Sequence, residues 1–342
     1  MALHRGGNVY DPWRGDNQSW WDWYLTLADN GGAAPGPLLA APPLPDVPLP
    51  DDGALLDELA APYPLEDRDA AFFRANGFVK LPHVLSPGAA LRLRARLKAL
   101  LAAEFGSALD SPGDRAEPAR FLSLEMLWLE DPLVRAFVLS PRIAKLAADL
   151  LGVGAVRLYH DNILSKEPGS GRTPWHYDDH HFPLATHDVV TAWIAPQAIP
   201  HDMGPLAFAG PIDVHKLVEH VPFDQNDTSY DREVARIFRD QNVAVEDSPF
   251  AIGEVSFHHN LCFHTAGPNR CAQSRIVLAN TFYADGARVV DRPTMVSGDW
   301  QKFIPDTGPG EPAISRLNPV CWPPAEDPAP PGPDLIPKAR KR

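Results

Sequence analysis

The stretch TPWHYDDHHF, residues 173–182, holds three histidines and two aspartates in ten positions. It reads either as a wet, histidine-rich surface loop or as a strand carrying metal ligands, and the choice decides the fold. On a strand, side chains two apart project to the same face. His176 and Asp178 would then point together, with Tyr177 opposite. An imidazole and a carboxylate on one face are two of the three ligands of a facial triad, which leaves open positions on a non-heme Fe(II). Alone the pattern is weak. With 13 histidines and 44 acidic residues, about one such pair is expected from composition.

A third ligand has to come from a distant strand. SFHHNLCFHTAGPNR, residues 256–270, offers His258, His259 and His264 just before the turn residues Gly267, Pro268 and Asn269. Parity puts His258 and His264 on one face of an unbroken strand, and a bulge at Asn260 would undo that. Spacing leaves the three open. Eleven residues after His264, Arg275 opens the apolar run IVLANTFYA. A guanidinium entering a buried strand is costly unless paired, because it does not shed its charge. Its fork suits a carboxylate. A cosubstrate with a distal carboxylate would supply that partner, and an internal salt bridge is the alternative.

Around these motifs, VRLYHDNILSK (156–166), DVVTAWIAP (188–196), PLAFAG (205–210), EVSFHHNLCFH (254–264) and SRIVLANTFYA (274–284) are β-rich runs broken by Gly and Pro. Helices precede them. Ser86-Pro87 and Ser140-Pro141 read as N-cap and N1 pairs, and Gly152 suits a helix end. Helices first and about eight short strands after predict a mainly β fold with flanking helices, a double sheet of jelly-roll type. A helical insert, DREVARIFRDQN (231–242), is a candidate lid.

Three segments are expected: an aromatic and Pro-rich extension over 1–60, a catalytic unit over 61–325 and a Pro-rich, basic tail over 326–342. The cluster SWWDWYLTLADN (19–30) suits a helix packing its indoles on the main unit, a lid, or the arm of a homodimer. The net charge of −13 argues against nucleic acid and anionic membranes as partners. No apolar run approaches the roughly 20 residues that span a bilayer. No secretory leader is visible, and three cysteines without a CxxC pair fit a reducing cytoplasm.

HYD at 176–178, HTAGPN at 264–269 and Arg275 resemble the phytanoyl-CoA dioxygenase family of Fe(II)- and 2-oxoglutarate-dependent oxygenases. FFRANGFVKLPHVLSP (72–87), LYHDNILSKEPGSGRTPWHYD (158–178), TAWIAPQAIPHDMGPLAFAGP (191–211) and NPVCWP (318–323) extend the likeness in order. The resemblance implies a double-stranded β-helix core, with His176, Asp178 and His264 holding iron. It also implies Arg275 on the distal carboxylate of 2-oxoglutarate, with Trp193 and Asn162 lining the cosubstrate pocket. The implied reaction is hydroxylation of an unactivated C–H bond of a small organic molecule, using O2 and releasing succinate and CO2. Desaturation, epimerisation or cyclisation would use the same ligands. A silent ligand-binding protein and a zinc hydrolase are the rivals from other classes. His180, His181 and Phe182 become candidates for the substrate side. Two departures stand out: AGPIDVH (209–215) replaces the usual PGSH stretch, and Leu124 or its neighbours fall where family members can carry a lysine for the cosubstrate.

Overall fold

The computed structural model describes residues 17–31, 36–106, 119–293 and 300–324. The expected basic tail over 326–342 and the first sixteen residues of the N-terminal extension lie outside the described residues.

The helices are α1 (Asn17–Tyr24), α2 (Asp52–Ala60), α3 (Asp67–Asn76), α4 (Pro87–Phe105), α5 (Pro132–Val138), α6 (Pro141–Leu151) and α7 (Ser229–Asp240). The strands are β1 (Phe78–Leu81), β2 (Phe121–Glu125), β3 (Val156–Lys166), β4 (Thr173–His176), β5 (Val189–Ile194) and β6 (Leu206–Gly210). They continue as β7 (Ala244–Glu246), β8 (Val255–His259), β9 (His264–Ala266), β10 (Arg275–Ala284) and β11 (Val320–Trp322).

Both Ser-Pro starts are realised. Ser86 Oγ accepts the Ala89 N–H at 3.2 Å and Ser140 Oγ accepts that of Ile143 at 3.4 Å, each ahead of a proline at the first helical position. Such caps satisfy a donor that the helix leaves free. α6 stops at Gly152, whose φ of 71° suits a residue without Cβ.

The strands form two antiparallel sheets. The larger runs β1-β8-β5-β10-β3-β11, with β2 also paired to β3, and the smaller runs β4-β9-β6-β7. Alternation on the larger sheet separates two environments. Val190, Ala192 and Ile194 of β5 and Ile276, Leu278 and Phe282 of β10 join a buried core with the helices, including Leu93, Leu97 and Ala144. Thr191 and Trp193 of β5, and Arg275, Ala279 and Thr281 of β10, line a cavity on the other face. On β3 the register shifts so that Thr281 pairs with His160 and Phe282 with Leu158. That bulge at Tyr159 lets Leu158 enter the core while His160 faces the cavity.

The result is a mixed arrangement of helices and two open sheets, with more helix than a mainly β reading anticipates. The helical layer buries the apolar face of β5 and β10 that is turned away from the cavity. The insert appears as α7, but it is tied down. Its buried Asp231 accepts the Trp175 N–H at 2.7 Å, the Asp29 N–H at 2.8 Å and Arg172 Nη1 at 2.9 Å. These bonds fasten α7 to β4 and to the segment after α1. Among the described residues, no helix is long and apolar enough to cross a membrane.

Candidate metal centre

Three ligand-type side chains converge as the triad requires. The ligand atoms of His176, Asp178 and His264 lie within 4.8 Å of one another. His176 Nε2 is 3.7 Å and His264 Nε2 3.9 Å from Asp178 Oδ1, and the two rings are 4.1 Å apart at their centroids.

The backbone route differs from the parity reading. β4 ends at His176, and Asp178 has helical backbone, with φ −86° and ψ −12°, ahead of a 3-10 turn over Asp179–His181. Asn260 causes the break: its carbonyl accepts the N–H groups of both Asp178 and Asp179, at 2.8 and 3.0 Å. His264 begins a strand rather than ending one, because the chain leaves β8 after His259 and enters the smaller sheet at β9. His176 and His264 are register partners there. His258 stays on the larger sheet and approaches from the other side, with Nε2 3.6 Å from Asp178 Oδ2.

Hydrogen bonds prepare both rings. His176 Nδ1 is 2.8 Å from the Pro174 carbonyl and His264 Nδ1 is 3.0 Å from that of Cys262. A carbonyl accepts only, so each Nδ1 carries the proton and each Nε2 presents a lone pair to the shared space. Protonation agrees. Burial pushes the His176 and His264 imidazoliums to lower pKa, keeping the rings neutral. Burial pushes Asp178 the other way, but the imidazoles of His264, His258 and His176 outweigh it and hold the carboxyl well below the usual range. Neutral imidazoles beside an ionised carboxylate are the state that metal binding needs.

Arg275 faces the same cavity. It is 1% exposed. Its Nη1 donates to the Gly204 carbonyl at 3.0 Å, and its buried Nε has no partner. Among the described residues no carboxylate lies within ion-pair distance of it, so the internal salt bridge weighed from sequence is not formed. The Trp193 ring lies 5.3 Å from the guanidinium carbon. Burial lowers the Arg275 pKa to about 9, which still leaves it cationic at neutral pH. A buried cation with a free donor fits a group bringing its own carboxylate. Asn162 lines the cavity as well, and its Oδ1 accepts Ser123 Oγ at 2.7 Å. Leu124 packs toward the helical core, as the alternation of β2 requires.

His181 and Phe182 line the cavity, whereas His180 does not. The 3-10 turn swings His180 outward, where it is exposed and lies 4.6 Å from Tyr177. Trp20, Trp21 and Tyr24 of α1 cover the cavity within the same chain. Tyr24 is 5.6 Å from the His176 ring and Trp20 is 5.4 Å from that of His181. Gln18 pins α1 to β2: its Nε2 donates to the Phe121 carbonyl at 2.5 Å and its Oε1 accepts the Ser123 N–H at 3.0 Å. Sequence reading passed over Glu125, His160, Lys302 and Phe303, all of which line the cavity. His160 shares a strand face with Asn162, so period-two counting from Asn162 was the available signal. Glu125 and Lys302 carried none.

A facial His/Asp/His triad preset in its ligating protonation state defines an Fe(II)- and 2-oxoglutarate-dependent oxidoreductase. The family model for phytanoyl-CoA dioxygenase matches residues 73–277, and the chain belongs to that family. A crystal structure of the non-heme alpha-ketoglutarate-dependent carbocyclase SnoK from nogalamycin biosynthesis is similar, at 25% identity and a TM-score of 0.58, over 76% of this chain and 99% of that one. The epimerase SnoN from the same biosynthesis matches at 24% identity and a TM-score of 0.57, over 79% and 100%. The EctD apoform from S. alaskensis matches at 18% and 0.55, over 75% and 91%. These last two are likenesses of fold. No curated protein sequence matches.

Proposed function

We propose that the chain binds Fe(II) through His176, Asp178 and His264 and 2-oxoglutarate through Arg275. On this reading it oxidises an unactivated C–H bond of a small, ring-bearing organic molecule by removing two hydrogens, in ring closure or desaturation, rather than by hydroxylation. The two sheets are then the halves of a double-stranded β-helix. The observation that carries the reading is Arg275: a buried guanidinium without a carboxylate, opening on the cavity that holds the triad. A zinc hydrolase would leave that cation without a role.

When bound, iron with 2-oxoglutarate and O2 would supply the oxidant that takes two hydrogens from carbon, leaving succinate and CO2, with the hydrogens and the second oxygen of O2 departing as water. The chain's own part is placement and exclusion. Nε2 of His176, Nε2 of His264 and the Asp178 carboxylate would hold the metal. Arg275 would grip the distal carboxylate over Trp193, and Asn162 offers an amide to the same pocket. The rings of Trp20, Trp21 and Tyr24 shield the site from water. The likeness to a carbocyclase supports an outcome without oxygen insertion. Three free, buried cysteines, Cys262, Cys271 and Cys321, agree with work in a reducing cytoplasm.

Incubation of the enzyme with iron, 2-oxoglutarate, O2 and a metabolite extract tests the outcome by mass spectrometry. The expected product is lighter than the consumed species by two hydrogens and forms with succinate. A product heavier by one oxygen would restore hydroxylation, and an unchanged mass would indicate epimerisation.

A further inference from the structure

The cavity has a second polar end, far from Arg275. His258, Thr191, Thr281 and His160 stand in register across β8, β5, β10 and β3, and all four line the cavity. Asp178 approaches this row at the β8 side, beside His258. His160 is three strands away, about 14 Å at the backbone. Arg275 precedes Thr281 by six residues of β10, a rise of about 20 Å. A group held by Arg275 and the triad therefore leaves the His160 end free.

That end is built from charged and aromatic groups. Glu125 and Lys302 form an ion pair at 2.7 Å, with side chains 10% and 27% exposed. The Phe303 ring lies 4.7 Å from Lys302 Nζ and 4.7 Å from the His160 ring. His160 Nδ1 is sealed from solvent and has no hydrogen-bond partner. Leaving such a group unpaired costs about 1–3 kcal/mol, and the ring itself lines the cavity, so a polar ligand group that enters this end and meets the imidazole as the ring turns would supply a bond that the chain does not. Phe182 flanks this end, and Trp20, stacked on Tyr24 at 4.7 Å, closes the cavity nearer the triad.

Resting on the oxygenase reading above, we propose that His160 and the Glu125–Lys302 pair form the specificity-determining subsite for substrate. The subsite takes a hydroxyl group carried on an aromatic or fused-ring molecule that spans from His160 to the triad. A hydroxyl donates and accepts, so it satisfies the imidazole nitrogen in either tautomer while meeting Lys302 or Glu125. A carboxylate there would face Glu125 and an ammonium would face Lys302, so a neutral polar group fits both. The rings along the cavity supply the flat apolar contacts.

The test is calorimetry under nitrogen on the full chain loaded with Fe(II) and 2-oxoglutarate, using 2-naphthol and 2-methylnaphthalene as probes. 2-Naphthol is expected to bind at least about tenfold more tightly, the equivalent of one hydrogen bond. His160→Leu is expected to bring the two affinities within about twofold of each other. Lys302→Met, at a partly exposed side chain, is expected to do the same, and it decides the matter if the first variant does not fold. Equal binding of the probes to the unaltered chain, an undiminished preference in the variants, or no binding of either probe overturns the proposal. Failure of the oxygenase reading shows separately, as absence of iron-dependent succinate release from the unaltered chain without any probe.

Discussion

Asp178→Ala is expected to lower iron-dependent succinate formation by more than about a hundredfold, beyond the ten- to hundredfold that loss of an outer partner of a metal ligand typically costs. Asp178 is the single anionic ligand in the triad. Without it the metal would face two neutral imidazoles, and the charge that favours a dication would be gone. The fold should tolerate the change. The Asp178 side chain is 16% exposed and its nearest polar side-chain neighbours are the three imidazoles, so alanine strands no buried ion. The neighbouring histidines hold the Asp178 carboxyl below its usual range, so the ionised side chain stabilises the fold at neutral pH. The metal-free variant is expected to stay folded but melt somewhat lower than the unaltered chain, while iron-binding calorimetry shows the loss. Retained iron affinity and turnover would remove Asp178 from the site.

Arg275→Met is expected to raise the 2-oxoglutarate concentration for half-maximal succinate formation by about 30-fold or more, the equivalent of roughly 2 kcal/mol for a lost charge-assisted contact. In the free chain the sign reverses. Arg275 is buried with one carbonyl partner and an unpaired Nε, and replacing an uncompensated buried ion with a well-packed apolar side chain is neutral or stabilising. The variant should therefore melt at or above the unaltered chain when neither holds ligand. Saturating 2-oxoglutarate should stabilise the unaltered iron-loaded chain, by about 2.7 kcal/mol at a hundred times its dissociation constant. The same concentration is only about three times the dissociation constant of Arg275→Met at a 30-fold loss, and should stabilise that variant by no more than about 0.9 kcal/mol. Equal 2-oxoglutarate requirements in the two proteins would assign Arg275 to packing alone.

The strongest local signals in the sequence became structure directly. Ser86-Pro87 and Ser140-Pro141 start helices because a side-chain cap and a fixed proline φ act within one turn. His176 and Asp178 do share a site, but not for the reason that strand parity gives. A carbonyl from Asn260, more than eighty residues away, ends β4 and turns Asp178 into place. The same long-range event explains His258 and His264. Their even spacing suggests one strand face, yet they sit on different sheets and meet across the cavity, with rings 4.5 Å apart. Period counting does not see a chain that changes sheets. His180 was drawn to the site by its neighbours and is turned away by a single 3-10 step. Glu125 and Lys302 meet across 177 positions of sequence, and no local pattern marks such a pair. The indoles at 20 and 21 were visible as a cluster. Only the Gln18 bonds to β2 show that they fold back over their own chain's cavity.

In the proposed enzyme, three side chains hold one ferrous ion while Arg275 holds the far carboxylate of 2-oxoglutarate. Anomalous diffraction at the iron edge, from crystals grown under nitrogen with Fe(II) and 2-oxoglutarate, measures it most directly. The expected map shows one iron peak within coordination distance of His176 Nε2, His264 Nε2 and the Asp178 carboxylate, with 2-oxoglutarate density reaching the Arg275 guanidinium. Iron placed elsewhere, or a dicarboxylate that leaves Arg275 without a partner, would contradict the account.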